Sequence, residues 1–332
     1  ADAFAHLSGG HMRSYAYLRR KLNRCPAKVT LWRVVEDAFL ATGVTKSARQ
    51  LLRHSVFFPG LLVAGLLPCT VRGRASMPMV GAGAPVGFSM TFDDAISRNL
   101  LYGSPDKKGV YKNPSLPPSM IVGLSTERED ALSELKNSGY QVSPVVRNFL
   151  CACSRMLSAA DVADPGRGWE LACFWAEVMM SHVRHGAELF LMGTPGVSGV
   201  QDFSRVSLKD LYKGVDNLER KPVHHPLLSD VLVDATRPLT LEDEIPELIT
   251  RYRDVNDVLK LPPDLLLSRA FMMVNAHLSF DVIRFLPVVD DPRPHAESSK
   301  RTNGMIAVCI SCKSTTDTAL SVPLELVKKG EK

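Results

Sequence analysis

The sequence predicts an α/β chain in which a mostly helical N-terminal unit with a winged-helix-like wing precedes an α/β domain holding a small mixed sheet flanked by helices. Three observations predict it. Apolar residues recur at three- and four-residue spacing through the first fifty residues and again from Ser125 to His185. Two apolar runs, Phe280–Val289 and Met305–Lys313, have the length and composition of strands and flank a polar turn. Between the two regions, Tyr102 to Pro118 carries Gly103, Pro105, Gly109, Pro114, Pro117 and Pro118, the texture of an irregular linker. The 332 residues, 45% hydrophobic and 23% charged, suffice for two or three buried cores. The boundaries follow as 1–100 for the helical, winged-helix-like unit, 101–120 for the linker and 121–332 for the α/β domain.

Taken in order, Met12–Leu22 and Leu31–Leu40 have helical spacing, and Thr45 caps a third segment running to Arg53. Leu61–Leu67 predicts a short helix, Thr70-Val-Arg72 a strand of a β-hairpin wing, and Gly81-Ala-Gly-Ala-Pro85 a loop. Beyond the linker, Ser125–Ser138 and Pro144–Leu157 read as helices. The strongest helix is Gly168–His185, where Leu171, Phe174, Trp175, Val178, Met179 and His182 form one apolar stripe and Pro165-Gly166 marks the start. From Gly186 to Leu267 short helices alternate with polar turns. No internal repeat or low-complexity tract appears.

Charge is unevenly spread. The net charge is +5, but residues 1–75 hold twelve Lys/Arg against Asp2, Glu36 and Asp37, which makes that segment +9 and the remainder −4. A basic segment on a near-neutral body points to phosphate or another polyanion, with Arg19, Arg20 and Lys21 as its densest cluster; a solvated helix face is the competing reading. The longest apolar run, Val56–Leu67, is interrupted by Pro59 and Gly60, so no membrane span is expected. The chain opens on Ala1-Asp2 without a basic-then-apolar leader, so it reads as a piece of a longer protein with any targeting signal outside it. Seven cysteines, odd in number and sparse, suit reduced thiols. Cys309-x-x-Cys312 with His182-x-x-His185 has zinc-ligand spacing, but a strand through Cys309 and Cys312 sends the two to opposite faces.

The constellation with chemical meaning is an acid on a helix, Glu170, an acid at the head of a strand, Asp281, and a lysine at the end of the next strand, Lys313. Metal-dependent phosphodiester cleavage needs carboxylates to hold Mg²⁺ and a cation beside the attacking water. A carboxylate opening an apolar strand is costly to bury without a partner or metal. If the two strands pair, Asp281 and Lys313 converge at one sheet edge. Glu177, seven residues after Glu170, returns to nearly the same helix face and could add a ligand.

This helix-then-hairpin order resembles the core of restriction-endonuclease-type PD-(D/E)xK nucleases. The resemblance assigns the helix acid to Glu170, the metal aspartate to Asp281 and the (E/Q)xK element to Ser311-Cys312-Lys313. Ser311 departs from the pattern, removing a carboxylate for which Glu177 could compensate; otherwise the site is degenerate and binds without cutting. Leu7-Ser-Gly-Gly-His-Met-Arg-Ser14 with the basic helix after it, Leu61–Leu67 followed by Arg72-Gly-Arg74, and Gly168-Trp-Glu170 together resemble patches of Crinkler effectors and retrotransposon hot spot proteins. Those proteins join a P-loop NTPase to a winged-helix region and a restriction-endonuclease-like domain. The resemblance implies a Mg²⁺-dependent nuclease acting on DNA, located in a nucleus, including a host nucleus reached by a secreted effector. It makes Arg13 a sensor of nucleotide phosphates. No G-x-x-x-x-G-K-[ST] sequence is present, so the NTPase would lie upstream or in a partner. A non-catalytic interaction or scaffold protein with a degenerate nuclease-like fold is the alternative, with a zinc-binding module third.

Overall fold

The structure, a computed structural model, describes residues 57–79, 89–98, 100–116, 143–160, 165–212, 231–241, 249–274, 280–290 and 304–310, together with Ala16, Arg20, Ile121 and Ser125. It combines helices with antiparallel and mixed sheets, an α/β chain. Ala16 and Arg20 are helical and exposed; the other residues of the three expected N-terminal helices lie outside the described residues. Two compact units divide the chain, one of residues 1–161 with 182–201 and one of 162–181 with 202–332.

In the first unit, helix α1 (Phe58–Leu66) is apolar on all sides, with Phe58 to Ala64 buried, as a core helix must be. Strand β1 (Thr70–Arg72) follows where the sequence placed it, but its partners are remote. It pairs antiparallel with β2 (Val110–Lys112) and β3 (Val197–Ser198) rather than closing a local hairpin wing. Helix α2 (Phe92–Ser97) starts on a reciprocal capping box between Thr91 and Asp94, which satisfies two orphan donors at once.

The expected linker is structured where it is described. Tyr102 and Ser115 exchange backbone hydrogen bonds, and the Asp106 carboxylate accepts from the amides of Lys108 and Val110; those bonds hold its carboxyl below the usual range. Tyr111 of β2 donates its hydroxyl to Asp93 at 2.7 Å, and that bond pushes the phenol up to about 12. The glycines and prolines there shape a β-turn around a strand rather than a tether. Leu116 caps the segment by donating its amide to the Gly65 carbonyl. Helix α3 (Pro144–Ala160) and the C-terminal turns of helix α4 (Pro165–Phe190) complete this core. Gly186 lets α4 approach, since a Cβ there would meet Val63 at 2.8 Å and Val145 at 3.2 Å.

The second unit is built on strand β8 (Val282–Asp290). Along one side β8 pairs antiparallel with β9 (Met305–Ile310) from Val282↔Ile310 to Pro287↔Met305, so the expected hairpin is present. Its other side is divided between two strands. Ala270–Met273 (β7) takes the first half, and Leu232–Val233 (β5) takes the last residues. Val206–Ser207 (β4) continues beyond β5 and leads into helix α5 (Leu208–Leu211), and Arg251–Tyr252 (β6) runs parallel to β7. The short helices expected from Gly186 to Leu267 are present at Leu208–Leu211, Val255–Leu259 and Pro263–Ser268, but β4, β5 and β6 lie among them and were not expected. Two- to four-residue strands carry too few alternations to show a period of two, and β7, Ala-Phe-Met-Met, is largely buried and so shows no polar face.

Ile283 and Phe285 of β8 pack with Phe271 and Met273 of β7 onto Val258 of helix α6 (Val255–Leu259) and Leu266 of helix α7 (Pro263–Ser268). By alternation Val282, Arg284 and Leu286 project to the opposite face. Among the described residues no helix is long and apolar enough to cross a membrane.

Candidate metal and nucleic-acid site

The acids singled out on α4 are both engaged by arginines of the sheet. Glu170 is bonded by Arg251 of β6 at 3.0 Å, and both side chains are partly covered. Glu177 is bonded by Arg284 of β8 at 2.7 Å, with both side chains buried. The seven-residue spacing does place Glu170 and Glu177 toward the same sheet, yet each meets a different strand. Two buried charges of opposite sign compensate each other only when they are in direct contact, and that requirement accounts for the Glu177–Arg284 geometry.

Asp281 is 1% exposed at the bend that leads into β8. Its amide donates to the Ile310 carbonyl and its carbonyl accepts from the Met273 amide, so it is stitched between β9 and β7. The strand pairing that the reading of Asp281 and Lys313 required is therefore present as far as Ile310. Ser311, Cys312 and Lys313 lie outside the described residues, as do Arg13, Arg19 and Lys21. Arg20 is exposed on a helix. Among the described residues no three His, Cys, Asp or Glu side chains gather where they could hold a metal ion, so the described acids do not form a Mg²⁺ ligand set.

The zinc spacing gains no second half: His182 is buried on α4 while Cys309 is exposed on β9. Cys69, Cys153 and Cys309 are free thiols, and burial pushes Cys69 and Cys153 up to about 11, far from the reactive range. Cys173 is disulfide-bonded, against the expectation of reduced thiols throughout.

Arg251 and Arg284 were not anticipated as partners of the helix acids. Arg284 had a legible signal: a lone arginine within the apolar run Val282-Ile-Arg-Phe-Leu286 must be paired if the strand is buried on both faces. For Arg251 no signal existed, because a two-residue strand has no pattern of its own.

Comparison with protein-family models finds no matching family, and no curated protein or solved structure matches the chain.

Proposed function

We propose that the chain is a DNA-binding protein of the Crinkler and retrotransposon hot spot kind, working in a nucleus, whose nuclease-like α/β unit grips its partner without cutting. The observation that carries this reading is the commitment of both helix acids to ion pairs, Glu170 with Arg251 and Glu177 with Arg284. A carboxylate neutralised by a guanidinium must lose that partner before it can ligate a cation, and the buried pair is expensive to break. Ser311, which stands where a first ligand is usual, supports the same reading. The basic N-terminal segment supplies affinity through phosphate contacts and counterion release.

Mg²⁺-dependent cleavage of DNA by Asp281 and Lys313 is the second reading. It is favoured by one observation, an aspartate buried at the head of β8 whose backbone is pinned to both neighbouring strands.

The two separate in one pair of assays, fluorescence anisotropy on duplex DNA across a salt titration and plasmid nicking with and without Mg²⁺. Binding is expected to fall steeply with salt. Charge reversal at Arg19, Arg20 and Lys21 is expected to weaken it and flatten the slope, with no Mg²⁺-dependent nicking by the wild type. Ser311→Glu is expected to raise Mg²⁺ affinity by restoring a carboxylate. Nicking by the wild type that disappears in Asp281→Ala and Lys313→Ala, while binding persists, establishes the second reading. Absence of binding at low salt overturns both.

A further inference from the structure

The three-stranded sheet of the first unit turns one face inward and the other to solvent. Val71 of β1 and its cross-strand partner Tyr111 of β2 are buried. By alternation Thr70 and Arg72 of β1, Val110 and Lys112 of β2 and Ser198 of β3 stand on the opposite face, where Arg72 and Lys112 are exposed diagonal neighbours. The turn before β2 adds to them. Asp106 closes it by accepting from the amides of Lys108 and Val110, and the Gly73 amide donates to the Gly109 carbonyl at 2.9 Å, which fastens the turn against the end of β1. Exposed Lys107 and Lys108 in that turn, and exposed Arg74 one residue past Gly73, therefore belong to the same patch. Among the described residues none of these cations has an ion pair. The two nearby acids are committed elsewhere: Asp106 to the amides of its own turn, and Asp93 to the Tyr111 hydroxyl.

Exposed cations gathered on one small face repel one another, and their field attracts an anion of matching extent. The sheet face carries no ring, and its one apolar side chain, Val110, is half-buried. It therefore offers neither the stacking platform of a single-strand binder nor the apolar side chains that an interfacial membrane contact buries. A row of phosphates reached from outside suits it. We infer that this sheet face and turn hold the phosphate backbone of duplex DNA, through Arg72, Arg74, Lys107, Lys108 and Lys112. This inference rests on the DNA-binding reading above and adds to Arg19, Arg20 and Lys21 a second set of phosphate contacts. Such contacts fix position and carry no base identity.

The test measures, on the full chain by fluorescence anisotropy, how steeply duplex affinity falls with salt on logarithmic axes. Each phosphate contact removed is expected to reduce that steepness by about one. The variant Arg72→Gln/Arg74→Gln/Lys108→Gln/Lys112→Gln is thus expected to reduce it by about three to four, and to weaken binding equally on duplexes of unrelated sequence. The control Lys209→Gln/Arg237→Gln/Arg253→Gln/Lys260→Gln removes as many exposed cations from the second unit and is expected to keep the wild-type steepness. A first variant that keeps it, or a control that loses as much, overturns the assignment of this face and leaves DNA binding intact. Wild-type protein that does not bind the duplex at low salt overturns the DNA-binding reading and the face with it, whether or not it binds phosphatidylserine vesicles. Should the fourfold variant unfold in a thermal melt, Lys107→Gln/Lys108→Gln, confined to the exposed turn, decides by the same measure with an expected reduction of about two.

Discussion

Arg284→Met is expected to destabilise the second unit by ~3–5 kcal/mol, because it takes from the buried Glu177 carboxylate its guanidinium partner. Arg284 is 1% exposed in the middle of β8, where water cannot replace the lost guanidinium. Methionine has nearly the length of the arginine stem, so packing changes little and the loss reports the charge. The double variant Glu177→Leu/Arg284→Met is expected to recover most of the stability, since replacing a whole buried pair by apolar groups is commonly neutral or better. Urea denaturation followed by circular dichroism checks both. A single variant as stable as the wild type would show that Glu177 finds solvent or another cation. The comparison also bears on function: if the pair is what holds Glu177 away from metal, Arg284→Met is the variant in which Mg²⁺ should begin to stabilise the fold.

In the first unit the largest effect is expected at Gly65. A Cβ there would stand 2.5 Å from the Leu116 Cβ and 2.8 Å from the Leu116 amide nitrogen, and the second of these is backbone that already donates to the Gly65 carbonyl at 3.0 Å. Neither atom can swing aside as a flexible side-chain end would. Gly65→Ala is expected to cost about 2–3 kcal/mol through overpacking, despite the better helix propensity of alanine. Gly109→Ala provides the contrast: nothing lies within 4 Å of its Cβ, and only its φ of +70° opposes the change, which predicts a cost of roughly 1–2 kcal/mol. Equal melting temperatures for Gly65→Ala and the wild type would mean that Leu116 moves away without loss.

The sequence shows long elements well and short ones poorly. Helices α3 and α4 and the β8–β9 hairpin were legible because each repeats its period several times. Of the stripe read on α4, Phe174, Trp175, Val178 and His182 are buried and Leu171 and Met179 partly so. Where pairing is remote, legibility ends: β1 was recognisable as a strand, but nothing in Thr70-Val-Arg72 indicates partners at Val110 and Val197. The candidate site divides along the same line. Glu170, Glu177 and Asp281 could be named from residue type and spacing. Their surroundings could not, because Arg251 is 81 residues from Glu170 and Arg284 is 107 from Glu177. Ion pairing at such separations is decided by the fold.

The divided edge of β8 has a consequence for the order in which the second unit assembles. Its pairings with β7 and β9 close loops of modest length, whereas β5 must return across more than fifty residues to reach Val288 and Asp290. Closing longer loops costs more chain entropy and slows the search. The N-terminal half of β8, with Asp281 at its head and Arg284 within it, should therefore form early with β7 and β9, and the C-terminal half should wait for β5. Amide hydrogen exchange on the native protein is expected to show this as a difference in protection, with Ile283 and Phe285 protected to the level of global unfolding and the Asp234 amide, which reaches from the end of β5 to the Pro287 carbonyl, opening first. The residues singled out for chemistry would then sit on the stretch that forms first and opens last.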